Sequence, residues 1–322
     1  MDGNIFLVGE RVITLALILL AGVYARKINI LDDATTKKFS AFLVNITQPL
    51  MIIASFQMEF DIDRLREGAW IFVVSAAVHL IVAAIAWLLF KPVRNFEARK
   101  IYQMGTVFAN IGFLGFPVLS VIFGYELGIF YGVFYTMFFN FFVWTYGVYL
   151  ISKKSDEKNM ESMESKVKLP LRKIFLNANM ISSVAGILMF VLRIRIPTVL
   201  LDSVQLVGDM TFPLAMIIIG SLICTIKFKE VFADKRIYYF LFVKLLLLPV
   251  VMLLIGAMLN IPSLFVYIGA LMLAMPSGAL VAILAETYES DAKAAAANVG
   301  ISTLFSIITI PAVLWIIELV LG

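Results

Sequence analysis

The chain carries ten stretches of about 20 mostly apolar residues, each long enough at the helical rise to reach across the hydrocarbon of a bilayer. They fall near residues 4–25, 39–57, 69–90, 101–123, 128–150, 174–192, 200–224, 237–259, 264–285 and 295–320. In lipid no water satisfies a free N–H or C=O, so each span must bond its own backbone, as a helix does. Composition agrees: 62% of the residues are apolar and 15% charged, against roughly 25% charged in a soluble domain. The expectation is an all-α integral membrane protein of ten transmembrane helices, with the lipid bilayer as its first partner.

Several classes of activity are excluded at once. One cysteine, Cys224, permits no internal disulfide, and one histidine, His79, leaves no Cys/His set for zinc or haem, so no cofactor and no metal are expected. The formal charge of +4 is spread along loops and gives no footprint for nucleic acid. There is no H-E-x-x-H or G-x-G-D pattern, and no histidine to serve a serine nucleophile, so the chain does not read as an enzyme. The opening "MDGNIFLVGER" has no basic n-region and no small-residue cleavage site, and no removable signal peptide is expected.

Orientation follows from the basic residues. With the N-terminus outside, 20 of the 26 lysines and arginines fall in inner loops and only Arg64, Arg66, Arg193 and Arg195 in outer ones. Basic residues accumulate on the cytoplasmic side, so both termini are expected outside a cytoplasmic membrane crossed many times. The mixed-charge segment 152–173, "SKKSDEKNMESMESKVKLPLRK", reads as a solvated cytoplasmic linker. It divides the spans five and five, giving a first five-helix unit at 1–151 and a second at 174–322. An odd number of helices per unit means that any repeat is inverted in the membrane. Weak echoes support a duplication. "NITQPL" at Asn45 to Leu50 and "DMTFPL" at Asp209 to Leu214 share Thr, Pro and Leu at an offset of 164, which Gly22 and Gly186 also keep.

Two spans are interrupted at corresponding places. "NIGFLGFP", residues 110–117, breaks span 4, and "LAMPSGAL", residues 273–280, breaks span 9. Paired interruptions in inverted halves are the best sequence pointer to a carrier's binding site, with the broken helices crossing near the midplane. Pro117 and Pro276 suit the first turn of a new half-helix. The N-terminus of such a half-helix presents roughly half a positive charge, which favours an anion.

"NIGFLGFPV", "MPSGALVAILAETYESD" and "STLFSIITIP" at 302–311 resemble the auxin efflux carrier family of membrane transporters, which includes bacterial malate or malonate permeases. The resemblance covers essentially the whole length. It implies ten helices in two inverted five-helix repeats with crossing broken helices 4 and 9. Helices 1, 2, 6 and 7 would form a scaffold and often a homodimer interface; helices 3–5 and 8–10 would form a transport domain. It implies a secondary transporter for a small organic anion, a mono- or dicarboxylate, working by alternating access. Asn110, Gly112, Gly115 and Pro117 match the first crossover motif, and Pro276 and Gly278 the second. The long cytoplasmic loop of many plant members is missing, which favours a prokaryotic carrier. The rival expectation is a receptor or sensor for an organic anion built on the same carrier fold.

Polar residues deep in spans complete the candidate set. Asn110 and Ser277 can donate hydrogen bonds to a carboxylate. Lys244 can pair with an anion, although a lysine about 12 Å from the surface can also snorkel. Asp209, about 13 Å into span 7, is the sharpest candidate for proton or sodium coupling, followed by Asn45 and Asn140. His79 reads more readily as a hydrogen-bonded structural residue, and Asn298, after four alanines, as part of a close helix contact.

Overall fold

Helices begin where the sequence offers a short side-chain acceptor. Asp32, Asp61, Asn95, Asn177 and Asp234 each adopt extended or near-extended backbone and accept from a backbone N–H two or three residues on, satisfying one of the donors a helix start leaves unpaired. The computed structural model describes residues 3–153, 176–224 and 234–321, without the side chains of residues 3–12 and 16. Beyond Lys153 the 152–173 linker lies outside the described residues, as do the side chains of Glu10 and Arg11.

The helices are α1 (Gly3–Lys27), α2 (Asp33–Ser55), α3 (Ile62–Phe90), α4 (Phe96–Val107), α5 (Ile111–Phe123), α6 (Tyr125–Ser152), α7 (Ala178–Val191), α8 (Thr198–Ile223), α9 (Lys235–Met258), α10 (Ser263–Ala274), α11 (Ala279–Thr287) and α12 (Ala292–Leu321). The described residues contain no strand, only an isolated β-bridge between Ala109 and Ser277. Three helices pass through a π-helical turn two residues before a proline: Leu43–Thr47 before Pro49, Ile111–Gly115 before Pro117, and Val243–Leu247 before Pro249. Proline has no N–H and crowds the carbonyl four residues back, and the wider turn absorbs both defects.

This architecture corrects the expectation of ten transmembrane helices in two inverted five-helix repeats. Among the described residues six helices are long and apolar enough to cross a membrane: α2, α3, α6, α8, α9 and α12. The apolar runs near 101–123 and 264–285 are not single helices, because residues 108–110 and 275–278 leave helical geometry. The run near 174–192 yields a helix of 14 residues, about 21 Å at the helical rise and short of the hydrocarbon thickness. The halves also differ in detail: α2 continues through a π turn, whereas α8 is interrupted by a short turn on Asp209 and Met210.

Two sets of helices pack among themselves. α1 lies along the second part of α8, and α7 and the first part of α8 lie on α2. The α1–α8 contact is backbone on backbone: a Cβ at Gly22 would come 2.2 Å from the Ile217 carbonyl oxygen, and one at Gly220 2.1 Å from that of Leu19. Small residues allow such an approach where helices associate in lipid. In the second set α6 receives α3 and α5, α9 packs on α10, and α12 packs on α4, α10 and α11. The sets meet where α1 and α8 face α5 and α12, and through Phe56, whose ring lies 5.0 Å from that of Phe130 and 6.3 Å from that of Phe190.

A polar cluster ties one end of the second set. Lys100, 3% exposed, pairs with Glu97 at 2.9 Å and donates to the carbonyls of Ile151 and Lys153 at the end of α6. Glu97 also accepts from the Ser290 hydroxyl. Burial works against the Glu97 carboxylate, but the hydrogen bonds from Ser290 and Lys100, with the Lys100 charge, outweigh it and hold its pKa below the ordinary 4.5. A depressed carboxylate contributes stability above its ordinary pKa and loses it as the pH falls through the folded value. The melting temperature is therefore expected to drop as the pH goes below about 4.5. Glu97→Gln should melt lower at neutral pH and show a shallower acid limb in the same scan. An acid limb identical to wild type would remove Glu97 from this linkage.

Candidate functional site

The backbone at the two interruptions answers how a helix can break inside a membrane. α4 stops at Val107 and α10 at Ala274, and the freed segments lie antiparallel against each other. The Asn110 N–H donates to the Pro276 carbonyl at 2.7 Å, and the Gly278 N–H to the Phe108 carbonyl at 2.8 Å. Each break thus supplies the partner that the other needs, in place of water. The Ser277 hydroxyl donates to the Gly105 carbonyl at 2.7 Å, and the Ser277 N–H to Ser302 Oγ on α12. Ser277 is wholly buried and its hydroxyl is taken up in holding the crossing together, so it is not the free donor that its position in the motif suggests.

Asn110 stands otherwise. Its backbone carbonyl accepts from Leu114 and Gly115, and its Oδ1 accepts from the Phe113 N–H at 3.3 Å, capping the start of α5. An Oδ1 held in this way leaves the Nδ2 amino group as the available donor. Asn110 lines a cavity of about 540 Å³, within the range of small-molecule sites. Ala279, the first residue of α11, lines it too, so the cavity lies at the N-terminal ends of both α5 and α11. Its walls come from α2, α8, α11 and α12 and are largely apolar, including Phe113, Ile219, Ile223 and Val299. Lys37 is the one cation among its lining residues, with Asp33 and Glu286 as the acids. Asp33 is already paired with Arg26.

A small apolar void of about 40 Å³ continues from this cavity. It shares Thr303 with the cavity and is closed by Leu19, Leu114, Val118 and Met216. Leu15 carries the line on to a further cavity of about 430 Å³, lined by Pro117, Ser120, Tyr125 and Phe212. The three spaces follow one another along the boundary between the two helix sets, with the hydrocarbon side chains of Leu19, Leu114, Val118 and Met216 around the small one between the larger two.

The other candidate residues are scattered. Gly112 faces the Gln48 amide, with a Cβ there 3.3 Å from Nε2, and Gly115 faces the side chains of Ile111 and Met272. Pro117 lines the 430 Å³ cavity. Pro276 acts through its carbonyl. Lys244 is buried completely, with Nζ on the Leu273 carbonyl at 3.2 Å, and does not snorkel. Asp209 is an exposed residue at the turn of α8, beside the Tyr125 hydroxyl rather than enclosed in the bundle. Asn45 is exposed on α2, bonded back to the Ala41 carbonyl of its own helix. Asn140 is half-buried on α6. His79 is buried among Tyr135, Phe138, Phe139 and Phe142 with Nδ1 on the Ser75 carbonyl, a packed residue. Asn298 is buried with Nδ2 unpartnered.

Sequence reasoning missed Gln48, Thr303 and the side chains around the small void. Gln48 carried a signal, a buried amide beside Pro49 in an apolar span. The void's side chains carried none, because a leucine lining a void and a leucine facing lipid look alike.

A family model for a membrane transport protein matches residues 7–315. The chain belongs to this membrane transport family. An uncharacterized transporter of Methanocaldococcus jannaschii is 23% identical over 313 residues, covering 95% of this chain and 97% of its own. The membrane transport protein described here is thus a multi-pass helical protein of the membrane and not an enzyme.

Proposed function

We propose that this transporter is a secondary carrier for a small organic anion. The observation that carries the reading is Asn110, which caps one half-helix and holds a free amide donor in a 540 Å³ cavity at the ends of two. Helix N-termini and a neutral donor favour a carboxylate without a fixed charge that would hold it too tightly to leave. Alternating access would use the three spaces: movement of α3–α6 with α9–α12 against α1, α2, α7 and α8 would part the side chains around the small void on one side and close them on the other. With both termini outside, as the basic bias favours, Lys37 would stand at the cytoplasmic mouth and the 540 Å³ cavity would face inward. A second copy would sit against the exposed apolar faces of α1 and α8, which include Leu17 and Leu206.

The malate or malonate branch, which the motifs resemble, calls for two carboxylates. With one lysine among the lining residues beside two acids, this cavity is better matched to a single carboxylate on an apolar body. Uptake into proteoliposomes, measured across a panel of mono- and dicarboxylates, tests both points. Saturable uptake of monocarboxylates ahead of malonate is expected. Specific binding with no uptake or exchange would favour the receptor reading instead.

A further inference from the structure

We propose that the Lys244 ammonium is a built-in cation at the carboxyl end of α10, standing where a coupling ion would bind and freeing the carrier from sodium. The inference rests on the carrier reading for its meaning, and on the geometry of one side chain for its support.

Lys244 lies in the π-helical turn of α9, about 14 Å into an apolar helix. Nothing of it is exposed. A lysine free to choose would run its stem toward the membrane surface. This one turns inward, and its Nζ donates to the carbonyl of Leu273. Leu273 is in the last turn of α10, which stops at Ala274 because Met275 to Gly278 form the crossing. The last carbonyls of a helix have no partner within it and carry about half a negative charge between them. In carriers built on broken helices such carbonyl ends are the ligands for monovalent cations.

The two broken ends are served differently. At the end of α4 the Gly105 carbonyl takes the Ser277 hydroxyl and the Met104 carbonyl takes the Phe108 N–H, so neutral donors suffice. At the end of α10 the donor is an ammonium. Among the described residues no carboxylate pairs with it; the ion pairs found there lie near helix ends, at Arg26, Arg64, Arg66, Lys100 and Arg236. His79 is within its field, but its Nδ1 is already on the Ser75 carbonyl. A buried ammonium with no counter-ion is costly and persists in membrane segments where it has a function. Its compensation here is the α10 carbonyl end, and in occupying that end it excludes any other cation.

Thermal unfolding of the full chain in detergent, at constant ionic strength in sodium, potassium or choline chloride, tests this without a substrate. Wild type is expected to melt at one temperature in all three. Lys244→Ala should melt lower in choline and regain at least about 3 °C in sodium or ethylammonium, small cations that fit the vacated space. Lys244→Arg should keep the wild-type indifference to sodium. Should Lys244→Ala fail to fold, Lys244→Ser, which leaves the same space beside a small polar group, takes its place in the series. A wild type stabilised by sodium, or a Lys244→Ala or Lys244→Ser protein indifferent to every cation, would overturn the proposal. Because no substrate is present, either result is separate from a failure of the uptake assay.

Discussion

Gly278→Val is expected to yield a chain that neither elutes as a single species nor takes up solute. Gly278 has φ −73° and ψ 142°, which any residue adopts, so the requirement is for space and not for glycine's freedom. A Cβ there would stand 2.9 Å from the Ala109 carbonyl oxygen, and that oxygen belongs to backbone fixed by the bonds on either side. To admit the side chain the two interruptions must separate, which breaks the bond from Gly278 to Phe108 and the bond from Asn110 to Pro276. Overpacking and two buried backbone pairs left short of partners together cost about 3–6 kcal/mol, comparable with the whole stability of many domains. Gly112→Ala is the control. Its Cβ meets the end of the Gln48 side chain at 3.3 Å, which can give way, so a folded protein with altered uptake is expected. Size-exclusion elution and melting temperature check both variants, and a Gly278→Val protein that is monodisperse and melts like wild type would show that the crossing is looser than its bonds imply.

Asn110 variants separate the helix cap from the binding role. Asn110→Ala removes both the acceptor for the Phe113 N–H and the Nδ2 donor in the cavity, and should reduce uptake roughly 5- to 150-fold through a donor loss of about 1–3 kcal/mol, with about 1 kcal/mol less stability from the lost cap. Asn110→Asp keeps the capping acceptor but places a carboxylate where the anion would sit. It should melt close to wild type and transport no carboxylate at all. Initial uptake rates and melting curves measured on the same preparations make the comparison. Equal activity in Asn110→Asp and wild type would move the anion away from α5.

How much of this could be read from sequence depended on the kind of signal. The breaks at 108–110 and 275–278 were legible because Asn, Gly, Pro and Ser in an apolar run conflict with a continuous helix. The number of spanning helices was over-read, since a window of apolar residues registers hydrophobicity whether or not the backbone stays helical through it. Position along an apolar run does not give direction. Asp209, Asn45 and Lys244 are all well inside apolar stretches, yet the first two are exposed and the third is wholly buried, and only packing decides which face of a helix a residue occupies. Ser277 shows the same limit at atomic scale: its place in the motif was plain, but not that the Gly105 carbonyl already occupied its hydroxyl.

The account stands on solute occupying the cavity floored by Asn110 during transport. Cys224 is the single native cysteine and is exposed, so a Cys224→Ser background leaves one thiol to place, at Ala282 on the cavity wall. The deciding measurement is the rate at which a small charged thiol reagent labels Ala282→Cys in proteoliposomes, with and without a saturating concentration of the transported carboxylate. The account predicts that labelling abolishes uptake and that the carboxylate slows labelling severalfold. Labelling at the same rate with and without substrate, in vesicles that continue to take the substrate up, would contradict it.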